Sequence, residues 1–103
     1  MLNKLEEKLV IFFSKKYPKY GYIGHIDKSD LINELKDNGM SAYSNDDILE
    51  ALELLKSKGY ILYEEFDESL PGIWDFKPNI NQCHDYVDGL PISKQTIINI
   101  LYR

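Results

Sequence analysis

The sequence predicts an α+β fold: a small core of three helices, then a β-hairpin, with one more helix at the C-terminus. Three observations carry that expectation. Apolar residues recur at helical spacing in three segments before residue 59. Gly59 then stops the third helix and opens Tyr60 to Phe66, a run of strand-forming residues. Finally, Asp67-Glu68-Ser69-Leu70-Pro71-Gly72 reads as a turn that leads back through a return strand from Ile73 to Phe76.

The elements follow in order. Asn3 is placed to cap a first helix, with Glu6 at the reciprocal position of a capping box, and Leu2, Leu5, Leu9, Phe12 and Phe13 form its apolar stripe. Pro18 forces the residue before it toward extended geometry, which ends this helix near Tyr17. Tyr20 to Ile26 carries two glycines and suits a short strand or connector. A second helix starts at Asp27 or Ser29, buries Leu31, Ile32 and Leu35, and stops at Asn38-Gly39. In the third, Ser44 caps, Asp47 answers it, and Ile48, Ala51, Leu52 and Leu55 face inward; Lys56 and Lys58 complement the dipole of the last turn. Pro78 closes the hairpin. Residues 79–91 read as irregular, and Ser93 is placed to cap a final helix carrying Ile97, Ile98, Ile100 and Leu101. The expectation is one domain over residues 1–103, with 79–103 as a C-terminal extension.

Composition narrows the class. With 44% hydrophobic and 28% charged residues the chain is ordinary for a globular domain rather than a disordered one. Cys83 is the single cysteine, which excludes an intrachain disulfide, and the charged start Asn3-Lys4-Leu5-Glu6-Glu7 is unlike a secretory signal. A reducing cytoplasm and no membrane association are expected, since no apolar run nears the roughly 18 residues a bilayer span needs. The net charge of −5 opposes indiscriminate attachment to polyanions. That charge is uneven: residues 1–28 hold six lysines against three acids, whereas residues 29–79 hold four lysines against twelve acids.

The order helix, short strand, helix, helix, strand, turn, strand over about residues 4–78, together with the phrase Ile48-Leu49-Glu50-Ala51-Leu52-Glu53-Leu54-Leu55-Lys56-Ser57-Lys58-Gly59-Tyr60-Ile61, resembles bacterial winged-helix regulators. In size and pattern the chain also resembles small winged-helix single-stranded-DNA-binding proteins of bacterial mobile elements. The resemblance implies a three-helix core with a β-hairpin wing, non-enzymatic DNA binding as a regulator or replication accessory, and a third helix that reads the major groove through Asn45, Asp46, Glu50, Glu53 and Ser57. It also implies a homodimer through the terminal helix, at Ile97, Ile98 and Leu101.

The charge of the third helix opposes that groove contact. Each carboxylate held about 4 Å from a phosphate costs on the order of 1 kcal/mol in water and roughly 4 when partly desolvated. Three or four of them offset the ~5 to 8 kcal/mol of nonspecific DNA binding. The better nucleic-acid candidate is the face of Lys15, Lys16, Tyr17, Lys19, Tyr20, Tyr22 and Lys28, with His25 nearby, because cations neutralise phosphates while aromatic faces stack unpaired bases. The bland reading stands beside it: Lys15 and Lys16 cap a helix end, and Tyr20 and Tyr22 pack on a strand. The rival functional reading is an interaction module that engages a basic protein partner through Asp46, Glu50, Glu53, Glu64 and Leu70. Trp74 is expected in the core. Cys83-His84-Asp85 offers a thiol, an imidazole and a carboxylate, but neighbours in an extended segment diverge, and no C-x-x-C, H-x-x-x-H or phosphate-loop spacing is present. No catalytic residue, metal or cofactor is expected.

Overall fold

In the computed structural model, residues 1–20, 26–66 and 73–101 are described, with backbone alone for 26–28, 63–66 and 73–76. The first helix, α1 (Lys4–Lys16), starts at a complete capping box: the Glu6 N–H donates to Asn3 Oδ1 at 2.8 Å, and the Asn3 N–H donates to Glu6 Oε1 at 3.0 Å. It ends where Pro18 requires, with Tyr17 extended at φ −113° and ψ 127°. Leu9, Val10, Ile11, Phe12 and Phe13 are all buried, so α1 is covered on more than one side and forms the axis of the core.

A two-residue strand, β1 (Ile26–Asp27), leads into α2 (Lys28–Leu35) and a widened turn, Lys36–Met40, that Gly39 closes at φ +94°. Helix α3 (Asn45–Ser57) has its own capping box, formed by Ser44 and Asp47. It stops as a Schellman turn: Tyr60 N–H reaches the Leu55 carbonyl at 3.0 Å and Gly59 N–H the Lys56 carbonyl at 3.2 Å, with Gly59 at φ +88°. The chain then forms β2 (Ile61–Phe66) and β3 (Ile73–Pro78), paired antiparallel with Glu64 opposite Phe76 and Phe66 opposite Trp74, and with an irregularity between Ile61 and Tyr63. β1 adds its two residues to the other side of β3.

Two more helices complete the chain, α4 (Ile80–Asp88) and α5 (Ile92–Leu101). The irregular segment expected over 79–91 is mostly α4. Asn79 caps it by accepting from Gln82 N–H at 3.3 Å, and Ile80, Cys83 and Val87 form its buried stripe. α1 packs chiefly on α4 and α3. Leu9, Phe13, Leu35, Ile48, Leu52, Leu55, Ile80 and Cys83 belong to one apolar cluster, and Ile11, Val87 and Ile98 form a second, where α5 docks.

This arrangement corrects the expected fold class. A three-helix core with a β-hairpin wing does not describe a chain whose described residues are mostly helical, form five α-helices, and surround the central helix partly with α4. Extended strand pairing is confined to the two-stranded β2–β3 ladder, because β1 contributes only two residues. The physical reason is burial: α1 carries apolar side chains around most of its circumference, and the first three helices leave part of it uncovered until α4 and α5 pack on it. The expected dimer contact is corrected at one residue for the same reason. Ile98 is 4% exposed and packs with Ile11 and Val87 within its own chain. Tyr22, Leu70 and the side chains of Lys28, Glu64 and Trp74 lie outside the described residues.

Candidate functional site

Helical spacing gathers Lys8, Phe12, Lys15 and Lys16 on one stripe of α1, where they face Glu34, Asp37, Asn38 and Gly39 across an open cleft of about 550 Å³ with Leu101 at its margin. The structure therefore brings Lys15, Lys16 and Tyr17 together, but it also supplies partners. Lys15 Nζ donates to Asn99 Oδ1 at 2.7 Å, and Lys16 is ion-paired with Glu34. Lys16 Nζ also lies 5.7 Å from the ring centroids of both Phe12 and Tyr17, within cation–π range. Lys19 turns to α4 and pairs with Asp85 at 3.3 Å. Lys8, which the sequence reading passed over although it sits one turn before Phe12, reaches the Gly39 carbonyl at 3.4 Å.

The tyrosines part company. Tyr17 is half-buried, and its hydroxyl is held above the usual range by burial and by the Glu34 carboxylate. Its backbone carbonyl lies 2.8 Å from His84 Nε2; since a carbonyl only accepts, this nitrogen carries the proton. Tyr20 stands out at 85% exposure with φ +61°.

Cys83, His84 and Asp85 are consecutive residues of α4 and so point about 100° apart. Cys83 is buried, and its thiol is pushed up to about 12 by that burial, while His84 and Asp85 go to Tyr17 and Lys19. The three side chains do not converge. Among the described residues no group of three or more His, Cys, Asp and Glu side chains is arranged to hold a metal ion. Among those same residues no helix is long and apolar enough to cross a membrane.

The opposite situation holds on α3. The side chains of Asp46, Glu50 and Glu53 are exposed and make no hydrogen bond or ion pair with any described residue. Beside them Leu54 is 41% exposed, and a groove of about 390 Å³ runs between α3 and the start of α1, lined by Asn3, Lys4, Leu5, Tyr43, Asp47, Glu50, Ala51 and Leu54. Its two walls are locked together by Glu6, which is 1% exposed and receives Lys58 Nζ at 2.8 and 3.0 Å. Burial pushes the Glu6 carboxyl up, but the Lys58 hydrogen bonds and the Asn3 N–H outweigh it and hold the group below its ordinary value. Neither the groove nor this lock was visible in the sequence, because the groove forms only where α1 and α3 meet and Lys58 read there as a dipole-complementing cation.

Comparison with protein-family models, with curated proteins and with solved structures returns no match, so the winged-helix resemblance gains no support from a relative.

Proposed function

We propose that this protein is a non-catalytic interaction module that holds a basic, partly apolar polypeptide segment along α3. One observation carries the reading. The carboxylates of Asp46, Glu50 and Glu53 are unpaired among the described residues, and Glu50 lines a groove with an exposed leucine, whereas Lys15, Lys16 and Lys19 each already have a partner within the chain. Binding to phosphates has to compete with those partners; binding a cationic segment on α3 displaces only water.

The magnitudes divide the labour. An exposed lysine–carboxylate pair contributes about 0.2–1 kcal/mol, while burying one leucine-sized side chain contributes roughly 1.5–3 kcal/mol. An apolar anchor in the groove thus supplies most of the affinity, and the carboxylate rim supplies orientation, on-rate and salt dependence. A cytoplasmic setting is part of the proposal, in keeping with a single buried thiol.

The experiment is a calorimetric titration with a panel of basic amphipathic peptides, run beside single- and double-stranded oligonucleotides at ~50 mM salt. A peptide complex of micromolar Kd that the double substitution Glu50→Lys, Glu53→Lys weakens at least tenfold is the expected result. DNA binding that the same substitutions strengthen, with no peptide bound, would return the assignment to the Lys15, Lys16, Lys19 and Tyr20 face, whose exposed Tyr20 is the feature favouring it.

A further inference from the structure

We infer that Lys4 is the specificity-determining residue of the α3 groove, and that the segment held there is a short amphipathic helix with cations on one flank of its apolar stripe and carboxylates on the other. This rests on the peptide-binding reading above and adds to it the charge pattern of the partner.

The two rims of the groove differ in sign. Asp47, Glu50, Ala51 and Leu54 stand at i, i+3, i+4 and i+7 of α3, so the groove follows one stripe of that helix for about two turns, roughly 10 Å. The Asp47 carboxylate is engaged by the Ser44 N–H at 3.4 Å, which leaves Glu50 as the free anion of this wall. Asp46 and Glu53 do not line the groove; at 100° per residue they fall within about 60° of Glu50, on its side away from Ala51. The opposite rim is the start of α1, where Lys4 lines the groove. Its side chain is exposed and, like that of Glu50, makes no hydrogen bond or ion pair with a described residue. A cation and an anion thus line opposite walls, and no ion pair closes the space between them. Leu5 and Ala51, at 8% and 4% exposure, form the apolar floor.

This geometry selects the occupant. Both walls come from helices and offer no strand edge, so an extended segment would find no ladder for its backbone, whereas a helix satisfies its own. A helix that sets its apolar stripe on Leu5, Ala51 and Leu54 turns one flank to the carboxylates of α3 and the other to Lys4. If wholly basic it is repelled at Lys4, and if wholly acidic it is repelled along α3. Opposite charges on the two flanks complement both rims. They also fix the direction in which the helix lies, because turning it end for end exchanges its flanks. The Glu6–Lys58 lock holds the rims in place before binding, so little further ordering is required.

Two peptides of about 14 residues test this, each with leucines at i, i+3, i+4 and i+7 and lysines on one flank, the other flank carrying glutamates in one peptide and lysines in the other. Titration calorimetry with the full chain at ~150 mM salt keeps long-range attraction to its net negative charge small. The expected result is that both bind, with a gain of helical far-UV signal. The ratio of their Kd values should shift at least fivefold toward the all-lysine peptide in Lys4→Glu. In Lys77→Glu, which makes the same change of net charge at an exposed residue outside the groove, it should shift by less than about twofold. Equal shifts in the two variants, no shift in Lys4→Glu, or binding without a gain of helix would overturn the inference and leave the peptide-binding reading standing. A wild-type chain that binds neither peptide would overturn both.

Discussion

Replacing Lys58 with methionine strands a carboxylate that folding has taken out of water. In the native chain Lys58 Nζ donates to both Glu6 oxygens, at 3.0 and 2.8 Å, and to the Met1 carbonyl at 3.1 Å. Removing one partner of a fully buried pair costs about 3–5 kcal/mol, chiefly the desolvation left uncompensated on the other. Here Lys58 is 33% exposed, so water reaches the vacated position and the expected loss is about 2–3 kcal/mol at pH 7. With a urea m-value of about 1–1.5 kcal/mol/M for a domain of this size, the unfolding midpoint should fall by about 2 M. The pH dependence is the sharper check. Burial alone raises the Glu6 carboxyl, and the hydrogen bonds from Lys58 and Asn3 more than reverse that, so its folded pKa lies below the ordinary 4.5. A depressed carboxylate stabilises above its unfolded pKa and loses that contribution as pH falls through the folded value, so the gap between wild type and Lys58→Met should narrow below pH 4.5. An equal gap at neutral and acid pH would refute the reasoning, because it would mean that Lys58 acts through its methylene stem.

Ile98→Ala should cost about 2–4 kcal/mol by opening a cavity between α1, α4 and α5, whereas Ile97→Ala, one residue earlier but exposed, should change monomer stability by less than about 0.5 kcal/mol; chemical denaturation at low protein concentration measures both. Gly59→Ala should cost about 1 kcal/mol from backbone strain alone, since φ is +88° and nothing lies within 4 Å of an added Cβ; the urea midpoint reports it. Cys83 should react with a thiol reagent at least ~1,000-fold more slowly in the native chain than in urea, because reaction waits for an opening event. Its folded pKa of about 12 is above the ordinary 9.0, so the unfolded chain ionises first, and stability should decline as pH rises from 9 toward 12.

The parts legible in the sequence were those written locally. Both capping boxes, the stop at Gly39, the Schellman turn at Gly59, the extended Tyr17 before Pro18, and the inward faces of α1 and α3 depend on residues within a few positions of one another. Helix α4 carried the same kind of signal, an Asn79 cap followed by Ile80, Cys83 and Val87, but polar residues and the nearby Gly89-Leu90-Pro91 obscured its short period. Of the candidate nucleic-acid face, sequence placed Lys15, Lys16 and Tyr17 correctly on one helix end. It could not show that Lys16 and Lys19 are ion-paired and Lys15 hydrogen-bonded within the chain, because Glu34, Asp85 and Asn99 approach from α2, α4 and α5.

By itself, then, the sequence determined where helices begin, where they stop and which stripes turn inward, since caps, left-handed glycines and 3.6-residue periodicity act over a few bonds. Tertiary structure decided the fold class, by using α4 and α5 to cover a central helix that is apolar around most of its surface. It also decided which charges remain available. Ion pairs fall off steeply with distance and depend on burial, so Lys15, Lys16 and Lys19 proved to have partners within the chain, while Asp46, Glu50 and Glu53 of α3 and the apolar side chains of Ile92, Ile97, Ile100 and Leu101 on α5 stay exposed.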